Sequence, residues 1–124
     1  MRRNKKVNLL VGDWEKNKDN EWHFVNKRIV EVDAYVFEYK GIKAFIHKYN
    51  YDDDSDTDYW QGNEFVTSQS FTQNRIYSKT GKKCIEFVKK VIDKRRDEIV
   101  EGVDKFLIEN DPVNTLYDFE NQIF

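Results

Sequence analysis

Cysteine, proline and alanine are scarce in this chain of 124 residues. The one cysteine, Cys84, excludes an internal disulfide and fits a reducing cytoplasm. With two histidines far apart, His23 and His47, it also excludes an ordinary zinc site. No apolar run approaches the roughly 20 residues of a membrane helix. Val7 to Val11 is too short for a signal-peptide core. The expectation is a soluble, unprocessed, cytoplasmic protein. Only Ala34 and Ala44 are alanine, lysine far exceeds arginine, and asparagine and isoleucine are common. That composition matches an AT-rich coding sequence, as in many low-GC bacteria and their phages.

Apolar and aromatic residues are sufficient for a core. Hydrophobic residues make up 39% of the chain and aromatics 15%, which argues against general disorder despite 35% charged residues. The length favours one α+β domain over 1–124, with 1–6 a flexible basic arm and 111–124 a helical tail. Net charge is −2, but it is unevenly placed. Residues 1–50 carry eleven Lys/Arg against seven Asp/Glu, and 51–74 none against six. Residues 75–96 carry nine against two, and 97–124 one against eight. Such blocks are either solvated faces or two surfaces of opposite sign, each able to choose a partner.

The strongest periodicity lies in Thr80–Ile108. Cys84, Phe87, Val88, Val91, Ile92, Ile99, Val103 and Phe106 fall on one face of an amphipathic helix capped by Ser78 or Thr80. Upstream, Arg28–Tyr39 and Ile42–Tyr49 read as strands joined by a Lys40-Gly41 turn. That register sets Tyr39 opposite Ile42, Phe37 opposite Ala44 and Tyr35 opposite Ile46 on a core face. It also pairs Glu38 with Lys43 and Asp33 with Lys48. The other face, with Val32, Ala34, Val36, Phe45, His47 and Tyr49, is too apolar for solvent, so the N-terminal segment or a partner covers it. Val7 to Trp14 fits a helix or a strand equally well; Glu15–Glu21 reads as a loop, and Trp22 and Phe24 alternate as if opening a strand. Tyr59–Ser68 is a third strand with Gly62 as a bulge, and Arg75–Tyr77 a short fourth. Asp111-Pro112 starts a last helix presenting Val113, Leu116, Glu120 and Ile123. The fold expected is an antiparallel sheet of three to four strands on one long helix, with a short C-terminal helix.

The long helix has two oddities. Its basic residues come first and its acidic ones last, the reverse of what the macrodipole prefers. Arg95 interrupts the apolar stripe, where it snorkels or pairs with Glu98, and Gly102 on the same stripe permits a close approach or marks a kink.

Chemistry-bearing motifs are incomplete. Asp52, Asp54, Asp56 and Asp58 have the alternate spacing of calcium-loop ligands, but Thr57 stands where the turn glycine belongs. Gly81-Lys82-Lys83 lacks both the first glycine and the Ser/Thr of a phosphate-binding loop, although a helix start with lysines suits an anion. Cys84 reads as inert core, and neither histidine has a visible orienting partner. No catalytic residue, metal site or cofactor is expected.

Three strands followed by Ser78-Lys79-Thr80-Gly81-Lys82-Lys83 at a helix start resemble the double-stranded RNA-binding domain over residues 30–95, without its alanine-rich continuation. That likeness implies lysines at the helix start reaching phosphates, and the basic first half of the helix offers Lys79, Lys82, Lys83, Lys89, Lys90, Lys94 and Arg96 to a nucleic-acid-binding module. The preferred expectation is different. Asp52, Asp53, Asp54, Asp56 and Asp58, flanked by Tyr51, Tyr59 and Trp60, form an acidic aromatic loop suited to capturing a basic protein surface. The layout resembles small mobile-element inhibitors such as anti-CRISPR proteins. The likeness implies a non-enzymatic, stoichiometric inhibitor of a host nucleic-acid-handling machine, acting as a nucleic-acid mimic in a bacterial cytoplasm. A small enzyme or metal-binding regulator acting through the aspartate loop is the third alternative.

Overall fold

A computed structural model describes residues 5–49, 59–71 and 78–121. Four strands, β1 (Lys5–Lys16), β2 (Trp22–Tyr39), β3 (Ile42–Tyr49) and β4 (Tyr59–Glu64), form an antiparallel sheet in the order β1-β2-β3-β4. The long helix α1 (Gly81–Glu109) lies on one face, and the short helix α2 (Leu116–Asn121) follows it. The architecture is the α+β sheet-and-helix arrangement that the periodicities predict.

The β2–β3 hairpin has the predicted register, with Tyr39↔Ile42, Phe37↔Ala44 and Tyr35↔Ile46. Its turn works because Lys40 and Gly41 both take positive φ, at 50° and 81°, the geometry that matches strand twist in a two-residue loop. Glu38 and Lys43 make their cross-strand ion pair at 3.5 Å. Asp33 does not pair with Lys48; its carboxylate holds Lys6 of β1 instead.

The N-terminal segment is a strand. Val7, Leu9 and Val11 stand opposite Val32, Val30 and Arg28, so period 2 is satisfied by β2 and no helix forms. The strand opening expected at Trp22 and Phe24 and the strand expected from Arg28 are one continuous element, β2 from Trp22, with β1 as its partner. Residues 17–21 make the connecting turn.

α1 rests on Ile42, Ala44 and Ile46 through Cys84, Val88 and Ile92. Thr80 caps it, its hydroxyl accepting the Lys83 N–H at 3.2 Å. Gly62 is not a bulge, since β3 and β4 stay in register from Tyr49↔Tyr59 to Ala44↔Glu64. It is where α1 comes closest: a Cβ there would lie 2.3 Å from Val88 Cγ2. Gly102 plays neither predicted role, for nothing lies within 4 Å of its Cβ position and the kink is at Arg95 (φ −132°, ψ 23°).

The opposite sheet face is covered by a different route from the one expected. β1 extends the sheet and adds Val7 and Leu9 to this face, where they cluster with Ala34, Phe45 and Phe65. The cover comes from Val66 and from Phe119 of α2, whose ring meets Phe65 edge-on at 5.1 Å. Strand β4 ends early, at Glu64, because its carboxylate accepts the N–H groups of Val66 and Thr67 at 3.0 and 2.7 Å and folds the chain back. Ser68 Oγ then accepts the Leu10 N–H at 2.9 Å on the outer edge of β1. Asn114 completes the closure. Its Oδ1 accepts the Asn8 N–H at 2.9 Å, while its Nδ2 donates to the carbonyls of Asn8 (2.8 Å) and Phe65 (3.0 Å). One buried amide thus stands in for a neighbouring strand and links the sheet's two ends.

The last helix starts at Leu116, not at Pro112. Thr115 and Asp118 form a reciprocal cap, with bonds of 3.0 and 2.9 Å between side chains and N–H groups. Phe119 docks, whereas Leu116, on the predicted apolar face, is exposed. The predicted strand Arg75–Tyr77 and residue Ile123 lie outside the described residues.

Candidate interaction surface

The predicted acidic loop and the described structure overlap only at its end. Tyr51, Asp52, Asp53, Asp54, Asp56 and Asp58 lie outside the described residues. Tyr49 and Tyr59, on either side of the segment, are cross-strand partners of β3 and the edge strand β4. Tyr59 and Trp60 both belong to β4 and are half-buried. Trp60 packs against the α1 cluster with the Lys48 ammonium over its ring at 5.7 Å. It contributes to the core rather than standing free beside the aspartates.

The predicted basic set divides. Lys89 lies over the Tyr39 ring at 5.3 Å, and Arg96 Nε donates to the Lys40 carbonyl at 2.8 Å. Between them, Asp93 accepts from Lys40 and from the Tyr39 hydroxyl. These hydrogen bonds hold the Asp93 carboxyl below its ordinary pKa and, from the other side, raise that of Lys40. Lys89, Asp93 and Arg96 therefore fasten the β2–β3 turn to α1. Lys79, Lys82, Lys83, Lys90 and Lys94 are exposed, and no ion pair joins them to another described residue. Lys83, Lys90 and Lys94, at spacings of seven and four, share one side of the helix.

The feature that sequence reasoning did not single out is the outer part of the β1–β2 hairpin. β2 pairs with β3 only from Ala34 onward, so the hairpin from Gly12 to Lys27 projects as a two-stranded ribbon among the described residues. It reaches roughly 17–20 Å beyond the Val11↔Arg28 pair at about 3.3 Å per residue. Its register shifts there, with Asn26 and Lys27 standing against Gly12 and Asn26 at φ 55°. The Phe24 ring fills the space above Gly12, where a Cβ would lie 2.7 Å from it.

Past the bulge, Trp14 faces Phe24 at 5.1 Å between ring centroids, and Lys16 faces Trp22 with its ammonium 5.1 Å from the ring. Lys27 stands 6.0 Å from the Phe24 ring. Trp14 and Trp22 are 62% and 60% exposed, and Ile29, opposite Leu10, is also exposed. The alternation of Trp22 and Phe24 was the available signal. It marks a strand but cannot say that nothing covers it.

Two buried groups do not form a site. His47 Nε2 lies 3.1 Å from both Gln61 Oε1 and Asn63 Oδ1, and burial lowers its pKa. Burial pushes the Cys84 thiol up to about 11, leaving it un-ionised and unreactive near neutrality. Arg95 is exposed, with Nε 3.1 Å from Glu98 Oε2, which is the partner its position in the stripe predicted. Among the described residues no three His, Cys, Asp or Glu side chains gather as a metal set. No described helix is long and apolar enough to cross a membrane. No protein-family model, curated protein or solved structure matches this chain.

Proposed function

We propose that this chain is a stoichiometric protein-binding inhibitor rather than an enzyme, directed at a nucleic-acid-handling machine in a bacterial host. The observation that carries the reading is the projecting ribbon with Trp14 and Trp22 more than half exposed. Exposed tryptophans on a raised element are the residues that anchor protein interfaces once desolvated. Gly12–Arg28 holds four Lys/Arg and four Asp/Glu, so the ribbon has no surplus charge for a phosphate backbone. The five aspartates between Tyr49 and Tyr59 add a dense negative stretch, complementary to the basic cleft of such a machine. Affinity capture from a bacterial host lysate, then titration of the purified captured protein, tests the reading. Trp14→Ala with Trp22→Ala is expected to weaken binding at least tenfold, and changing the five aspartates to Asn is expected to weaken it further. Unchanged affinity in both variants would sink the proposal.

A second reading rests on the exposed row of Lys83, Lys90 and Lys94 with Lys79 and Lys82, which suits a nucleic-acid backbone. Fluorescence anisotropy with duplex RNA and DNA at low salt decides it. Binding that falls steeply with salt supports it, and a flat titration removes it.

A further inference from the structure

We propose that the free chain pairs with a second copy of itself, the outer ribbon of each protomer lying on the acidic second half of α1 of the other. Two exposed patches carry the argument. Along β1, Leu10, Gly12, Trp14 and Lys16 alternate onto one face, joined by Ile29, Phe24 and Trp22 of β2. The charges standing with these rings are Lys16 and Lys27, whereas Asp13 and Glu15 alternate to the other face. The ribbon's aromatic face is thus apolar with cations.

The second patch follows the kink at Arg95. Val100, Leu107 and Ile108 are 37%, 41% and 81% exposed, and their spacing puts them on one side of the helix with Asp97 and Asp104. Residues 97–111 contain six carboxylates and a single lysine. This patch is apolar with anions.

Each patch suits the other and not itself. Ribbon against ribbon brings lysines together, and helix against helix brings carboxylates together. Within one chain the patches are held apart. The second half of α1 begins at the Lys40–Gly41 turn, where Arg96 bonds Lys40, while the ribbon leaves from the other end of β2. A twofold pair of chains makes both contacts at once, each copy giving its ribbon and receiving its partner's. Two tryptophans at about 60% exposure offer roughly 300 Å² per ribbon. With equal area on the helix and both contacts counted, about 1,200 Å² is buried, the lower end of the range for specific complexes. The pair is therefore weak and reversible. It accounts for the acidic second half of α1, which the helix dipole does not favour. Because pairing covers Trp14 and Trp22, it competes with target binding; that consequence alone rests on the proposed function.

Sedimentation equilibrium of the full chain alone is the test. The mass is expected to rise with concentration from 15.0 kDa toward twice that value. Lys16→Glu with Lys27→Glu, and separately Asp97→Lys with Asp104→Lys, are each expected to give monomer; all four positions are exposed. An equimolar mixture of the two variants is expected to recover the dimer, because the changed ribbon then meets the changed helix and the other contact is native. A wild-type chain monomeric at every concentration overturns the proposal. So does a variant that dimerises like wild type, or a mixture that stays monomeric. None of these results bears on whether a foreign target is captured.

Discussion

Replacing Gly62 by alanine should show whether α1 is seated on β4 as closely as the structure has it. The new Cβ would lie 2.3 Å from Val88 Cγ2, with Phe71 and Cys84 atoms at 3.7 and 3.8 Å. Carbon atoms pack at about 3.5–4.0 Å, so the first contact is short by more than ~1 Å. Val88 is buried and β-branched, and in a helix it has essentially one χ1 rotamer, so its methyl cannot swing clear. The helix has to lift from Ile42, Ala44 and Ile46, at a cost of about 1–3 kcal/mol. The gain from a stiffer unfolded chain, about 0.4–1 kcal/mol, opposes this without cancelling it. Val88→Ala alone should cost about 1–2 kcal/mol through the space it leaves. In the double variant the alanine methyl at 62 occupies that space, so the two losses should fall short of additive by about 1–2 kcal/mol. Urea unfolding followed by circular dichroism measures all four chains, with equal m-values required for the comparison. A Gly62→Ala loss below about 0.5 kcal/mol, or strictly additive losses, would refute the close seating.

Asn114→Ala removes three hydrogen bonds from a buried site and leaves the Asn8 N–H without its acceptor, so a loss of about 2–4 kcal/mol is expected in the same assay. Hydrogen exchange at Asn8 should accelerate beyond the global change, and an unaltered Asn8 rate would contradict the closure. His47 has its pKa lowered from 6.5 by burial, so below pH 6.5 the unfolded chain takes up a proton that the folded chain refuses. Its contribution is present above pH 6.5 and is lost as pH falls toward the lowered folded value; His47→Gln should flatten the stability profile across that window. Cys84, buried with its thiol raised to about 11, should resist iodoacetamide at pH 7.5 in the native protein and react in urea. Rapid native labelling would show that α1 opens locally.

Local rules were enough for the middle of the chain. Lys40-Gly41 sets the hairpin register because two positive-φ residues specify one turn, and the turn specifies every pair from Tyr39↔Ile42 onward. The 3.6 period and the Thr80 cap likewise place α1 within a residue at each end, although the kink falls at Arg95 and not at Gly102. Such signals lie within a few residues of the feature they specify.

Elsewhere the deciding contact is distant in the chain. Val7 to Trp14 fits two periods until β2 is available as a partner, and Asp33 chooses Lys6 over Lys48 because β1 arrives beside it. Gly62 looks like a bulge locally but is a clearance for Val88. Asn114 reads as an ordinary polar residue, and only the approach of Asn8 and Phe65 turns it into a clasp. The candidate surface follows the same division. Aromatic composition and alternation along 14–24 are legible residue by residue, but exposure is set by what the rest of the chain covers. Periodicity and turn chemistry thus establish the hairpin, the helix and its buried face. Tertiary packing alone leaves Trp14 and Trp22 in solvent, because β3 ends before it can reach them and no other described segment covers their rings.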